Sequence, residues 1–378
     1  MFGYHIGSMT LYNLKMGIKQ IIYSYAEKCR HLMYRLCCLP KEGLFSSGIV
    51  CRVEDPTYAY THGDVIHPCV RYIEEGFEGH QWWMVYTPLY DWNDKLENPR
   101  LCYADAPKGQ APTEWKYYCT IIECPEEGYN SDPTLFYKDG KLYVFWRECH
   151  TPRVHKDGNR FATYGCTIQN QIVTYLNGPI LTSAAIGEDR QLCPTFLEKE
   201  GKLYAYTIYL RFDPKIILHL PLKLKDTIYK MIKVTTAFGI YSRMLCHGVA
   251  IWEGDSFDMP FKLIKTIKID RISWLYNPWH MDLFFVKGNK KNCLYSIIQS
   301  NQVFADICLA ESKDGEKFSF CRPQLITEKS VKGLYKSTAQ VVNGMFHLYY
   351  TANDNSDPSI HKLFLVSEDW DSLQKKFS

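Results

Sequence analysis

Asp132, Glu148 and Asp282 are carboxylates at the ends of strand-like runs, and His280 lies two residues before Asp282. Two carboxyl groups, one protonated and one ionised, are the usual minimum for cleaving an acetal by general acid–base chemistry. In that scheme Asp132 serves as base, or as the partner that sets a neighbour's pKa, and Glu148 or Asp282 as acid. Crowding carboxylates in a partly dry funnel raises at least one pKa, which the acid requires. His280 is a further proton donor if a carboxylate holds its tautomer. Residues 280 and 282 of one strand also point the same way. Around them stand Asp64, His67, Glu97, Asn98, Arg147, Arg190, Tyr335 and Lys336, a set suited to binding a sugar. Hydroxyls need paired donors and acceptors, and sugar ring faces stack on aromatic walls. Each assignment has a plainer competitor. Asp132 before Pro133 reads equally as a strand-initiating cap, Glu148 as a partner of Arg147, Glu97 as a turn brace and His67 as a satisfied core histidine. Trp82 and Trp83 read as packing rather than a sugar platform, because adjacent strand residues face opposite sides.

The elements that must position these groups recur five times. The openings are His67-Pro68-Cys69-Val70, Ser131-Asp132-Pro133-Thr134, Cys193-Pro194-Thr195-Phe196, Trp279-His280-Met281-Asp282 and Tyr335-Lys336-Ser337-Thr338. Each leads through a short turn (Glu78-Gly79-His80, Asp139-Gly140, Glu200-Gly201, Lys287-Gly288-Asn289, Asn343-Gly344) into an aromatic second strand. Repetition of one supersecondary unit means a repeat architecture, and sheets repeated around an axis make a propeller. The expectation is an all-β fold: a five-bladed β-propeller over residues 44–378. The openings of its inner strands converge on one face, and each antiparallel second strand returns there. The segment Leu44 to Val53 is positioned to close the ring. Arg211 to Tyr241 reads as an oversize insertion in the third blade.

Residues 1–43 differ in kind. Leu14, Ile18, Ile21, Tyr25, Cys29, Leu32 and Leu36 recur at helical spacing, with Ser8 as N-cap and Pro40 as the stop. This predicts an N-terminal amphipathic helix that packs on the propeller or docks to another subunit. Charged residues interrupt every apolar stretch of that region, so neither a signal peptide nor a membrane span is expected. The expected location is cytoplasmic or virion-associated. With 44 Lys+Arg against 41 Asp+Glu and no basic tract, nucleic acid is not an expected partner. Fifteen cysteines at irregular spacing, without a CxxC pair, read mostly as buried thiols. No clustered Cys/His set is visible, so no metal site and no cofactor are expected.

The stretches THGDVIHPCVRY, GHQWWMVYTPLYDWNDKLENPRLCYAD, YNSDPTLFYKDGKLYVFWREC, NPWHMDLFF and LYKSTAQVVNGMFHLYYTA together resemble five-bladed propeller proteins related to glycoside hydrolases of families 43, 32 and 117. Such proteins are common in gut bacteria and their phages. The likeness covers about residues 60–365 and implies a carbohydrate site at the funnel end of the axis. By that likeness Asp132 takes the role of the second-blade aspartate, which tunes or orients. The first blade offers Asp64, three residues before His67, while its strand position is Cys69. The third blade opens Gln191-Leu192-Cys193-Pro194, with no acidic residue in register for the family's acid. Two functions follow: a glycoside hydrolase on an oligo- or polysaccharide, or a non-catalytic glycan-binding propeller such as a phage virion or tail component. A third reading, phosphorolysis, rests on Arg147, Arg190 and Lys336 near the axis.

Overall fold

The computed structural model describes residues 42–126, 128–149, 161–182, 190–212, 245–267, 269, 278–286, 294–300 and 305–377. The chain divides into two compact units, Lys41–Arg211 with His247–Ser378, and Met1–Pro40 with Phe212–Cys246. The second of these lies almost wholly outside the described residues. So do the expected N-terminal helix, the third-blade insertion and the Lys287-Gly288-Asn289 turn.

The first unit is an all-β propeller. Its strands form five sheets, each begun by one of the repeated openings. Sheet 1 starts with Ile66–Phe77, sheet 2 with Tyr129–Lys138, sheet 3 with Arg190–Lys199, sheet 4 with Pro278–Phe285 and sheet 5 with Ser337–Val342. These first strands pack against one another in a closed cycle, each touching the next and the fifth touching the first. The seams between neighbouring sheets hold the core. Trp82, Met84 and Tyr349 fill the seam between sheets 5 and 1, and Trp83, Leu135 and Trp146 the seam between sheets 1 and 2. Trp82 and Trp83 thus face opposite sides, as strand alternation requires. Burial of each such aromatic contributes roughly 1.5–3 kcal/mol or more.

Four hairpins turn on the same chemistry. Glu78-Gly79, Asp139-Gly140, Glu200-Gly201 and Asn343-Gly344 each place two consecutive residues at positive φ, between 48° and 87°. That is the two-residue turn whose twist matches paired strands, and glycine supplies the second left-handed position without strain. Ring closure comes from the segment ahead of sheet 1. Ile49–Val50 pairs antiparallel with His361–Asp369 of sheet 5, and Arg52–Val53 runs parallel beside Glu114–Thr120 of sheet 1. Among the described residues no helix is long and apolar enough to cross a membrane.

Candidate functional site

Four of the five openings carry a register irregularity that aims one side chain along the axis, and the fifth, at Ser337, pairs in regular register. The pairing slips between Ile66 and Cys69, Ser131 and Thr134, Leu192 and Thr195, and Pro278 and His280. In the first three the residue before a proline stands at positive φ: His67 at 54°, Asp132 at 51° and Cys193 at 51°. Proline lacks the N–H that a regular ladder would use, so the bulge falls there. Equivalent positions in the five sheets are therefore His67, Asp132, Cys193, His280 and Lys336, which form an upper ring. Two residues further on, pointing the same way, Cys69, Thr134, Thr195, Asp282 and Thr338 form a lower ring.

Asp132 is the centre of the upper ring and is buried. Arg147 Nε donates to its Oδ2 at 2.8 Å, and the guanidinium also reaches Cys149 Sγ at 2.7 Å. Its Oδ1 faces His67 Nε2 at 3.5 Å, His280 Nδ1 at 3.6 Å, Lys336 Nζ at 4.0 Å and the Cys193 thiol at 3.2 Å. Burial pushes the Asp132 carboxyl up, but Arg147, His67, Lys336 and His280 outweigh it and hold the group well below the usual carboxylate range. His67 is held from behind, with Nδ1 3.0 Å from both Glu97 Oε1 and Thr87 Oγ1. Glu97 also accepts from Ser131 Oγ at 2.7 Å. His280 Nδ1 lies 2.6 Å from Cys193 Sγ, while its buried Nε2 has no partner among the described residues. Burial pushes the His280 imidazole well below its ordinary value, and the cations around it act in the same direction. The Tyr335 ring covers both histidines, 5.2 Å from His67 and 4.8 Å from His280.

Of the residues expected from sequence, the structure brings Asp132, His67, His280, Glu97, Arg147, Tyr335 and Lys336 together. Asn98 follows Glu97 in the same loop, with a buried Oδ1 that has no partner among the described residues. Three candidates go elsewhere. Asp282, expected as an acid, sits in the lower ring with both oxygens taken. Arg71 donates to it at 2.6 and 3.0 Å, Thr338 Oγ1 at 2.6 Å, Thr195 Oγ1 at 3.3 Å and Leu283 N at 3.0 Å. Asp64 is a brace: it accepts from the backbone N–H groups of Leu89 and His361, each at 2.6 Å. Glu148 lies between Arg147 and Cys149 on one strand, so it points to the opposite sheet face from the two residues around Asp132. The side chain of Arg190 is outside the described residues. Cys193, which was not among the expected residues, also lies beside Asp132 and His280, and its register with His67-Pro68 and Asp132-Pro133 was a signal for that position.

His67, Asp132 and His280 each offer a ligand atom within 4.8 Å of the others, which is a geometry able to hold a metal ion. The sequence showed no such cluster because its members come from three sheets. A cavity of about 820 Å³ opens at the other end of the inner strands, lined by residues such as Glu74, Phe136, Glu198 and Asn343. It includes no member of the upper ring.

No family model matches the sequence, and no curated protein matches it. Solved structures do. An N-acetylgalactosamine deacetylase from F. plautii, in complex with blood group B trisaccharide, superposes with a TM-score of 0.62 at 13% identity, covering 89% of this chain and 97% of that one. Zg3597, a family 117 glycoside hydrolase of Zobellia galactanivorans, gives 0.54 at 13% identity over 86% and 92%. A thermostable family-43 glycoside hydrolase gives 0.52 at 10% identity over 81% and 91%. The resemblance drawn from the sequence motifs therefore holds at the level of the propeller fold.

Proposed function

We propose that this protein is a carbohydrate-directed hydrolase built on a five-bladed propeller, one blade per sheet, and that its reaction centre is the His67–Asp132–His280 set holding a divalent cation. The observation that carries the reading is the spacing around Asp132 Oδ1, which stands 3.5 and 3.6 Å from the two imidazole nitrogens. These separations are long for hydrogen bonds. Ligand atoms about 2.1 Å from one cation would stand about 3.4 Å apart at the corners of a tetrahedron, close to the two separations from Asp132 Oδ1. Glu97 behind His67 supports the same reading, since a carboxylate on the far nitrogen fixes the tautomer and raises ligand basicity.

A cation there supplies a water acidified towards neutrality and a Lewis acid for a carbonyl oxygen. This chain's own residues do the rest. Arg147 holds Asp132 by one oxygen and leaves the other turned to the histidines. Lys336, 4.0 Å from that oxygen, is placed to balance negative charge developing on substrate. Tyr335 closes the site over both imidazoles and limits water. The likeness to the F. plautii deacetylase favours the amide of an N-acetylated sugar as the bond attacked.

Cleavage of a glycosidic bond is the second reading. It is supported by Asp132 and Glu97, two carboxylates that approach His67 on its two nitrogens. The test is incubation of metal-loaded and chelator-stripped full-length protein with a broad panel of N-acetylated and neutral glycans. Acetate release that is lost on stripping and in Asp132→Asn supports the proposal. New reducing ends without acetate favour the glycosidase reading, and retention of a glycan without turnover favours a binding propeller.

A further inference from the structure

The loop between the second and third strands of sheet 1 lifts Trp92 to the rim of the site. Trp92 is 59% exposed, which is high for so large an apolar residue. One stray surface aromatic needs no explanation. Trp92, however, is held in place and borders the reactive ring.

Asp91 and Trp92 both have left-handed backbones, at φ 52° and 55°. Two consecutive non-glycine residues there are costly unless the surroundings impose them. They are imposed on both sides. Trp92 N donates to Leu89 O at 2.9 Å, and Asp91 N to Ser359 O of the sheet 5 loop at 3.4 Å. Asp64 ties Leu89 N and His361 N to one carboxylate, so it fixes the loop's base to the strand on which Trp92 rests. The indole packs edge-on against His361 at 5.5 Å and Tyr335 at 5.8 Å. Tyr335 is the ring that covers His67 and His280. A single ring thus separates the exposed indole from the proposed metal ligands.

We infer that Trp92 is a stacking platform for a second sugar ring, next to the one that reaches Asp132, so that the ligand is an oligosaccharide rather than a monosaccharide. This rests on the carbohydrate reading above. A flat, pre-positioned aromatic face fits the apolar face of a pyranose and loses little entropy on binding. Asp64 acts through it as a positioning residue, which gives that buried carboxylate a role away from the chemistry.

The experiment is retention of full-length wild type, Trp92→Ala and Trp92→Phe on a printed array of several hundred glycans. It is followed by titration with the best retained glycan and with its terminal monosaccharide. Trp92→Ala should bind the oligosaccharide about tenfold more weakly, with Trp92→Phe within about threefold of wild type and no difference among the three for the monosaccharide. Thermal melts should differ little, because most of Trp92 is exposed and its contacts are two edge-on ring contacts. Equal retention of the oligosaccharide by wild type and Trp92→Ala overturns the platform and leaves the carbohydrate reading standing. No glycan retained by wild type overturns both.

Discussion

The upper and lower rings each hold one buried aspartate beside an arginine, yet they differ in what is left over. Asp282, in the lower ring, accepts five hydrogen bonds from Arg71, Thr338, Thr195 and Leu283. Arg71 comes from sheet 1, Thr195 from sheet 3 and Thr338 from sheet 5, so this carboxylate stitches the axis together. Asp132, one layer above, is engaged on Oδ2 by Arg147. Its Oδ1 faces two imidazoles, a thiol and an ammonium at distances of 3.2 to 4.0 Å. The lesson is that burial and an arginine do not mark a reactive carboxylate. Asp282 is saturated by strong donors, whereas Asp132 Oδ1 accepts only from the weak Cys193 thiol donor and stands 3.5 to 4.0 Å from the cationic and imidazole nitrogens.

The largest expected effect tests the upper ring. Asp132→Asn should lower turnover by about 10³-fold and remove bound metal, read by steady-state assay and elemental analysis. It should cost less stability than the lower-ring change below, because Arg147 keeps Cys149 and the Tyr129 ring as neighbours. The mirror experiment is Arg71→Ala, which strands Asp282 without its cation. That should destabilise the fold by about 3–5 kcal/mol in urea denaturation. Equal losses of stability in the two variants would break the contrast between the rings.

A smaller effect sharpens it. Thr338→Val removes a hydrogen bond to the Asp282 carboxylate and the acceptor of the Val70 N–H, and should cost about 1.5–3 kcal/mol without changing metal content. The smallest effect is a control on acid. Burial pushes the His347 imidazole, in sheet 5, down to about 4 from 6.5. The unfolded chain therefore takes up its proton first, and stability falls as pH drops from about 6.5 to 4. His347→Gln should flatten that part of the stability curve and leave the pH profile of turnover unmoved. Asp132, held low, should remain ionised across the same range and add nothing to the acid loss, whereas His280, also held low, adds to it in the same direction, so the His347 share is the part that His347→Gln removes.

Much of this was legible in the residues. The x-Gly turns and aromatic second strands mark the repeat because a two-residue hairpin needs a left-handed glycine and a strand needs alternation. That Asp132, His67, His280, Glu97 and Lys336 lie near one another was legible because each stands at an opening or in the loop beside one. Asp282 shares a strand face with His280, as expected from alternation, and lies one layer deeper than Asp132. The arginine that neutralises it lies 211 residues away in sequence. Glu148 shows the converse, since it is next to Arg147 in sequence and on the other sheet face.

Local chemistry, then, determined the repeat, its turns and the side chains offered at each opening, because hairpin conformation and strand alternation depend on neighbours in the chain. Which openings meet, and how fully each axial carboxylate is hydrogen-bonded, was decided only when five sheets closed into one ring. Hydrogen-bond saturation at the axis draws its donors from strands that no local pattern connects.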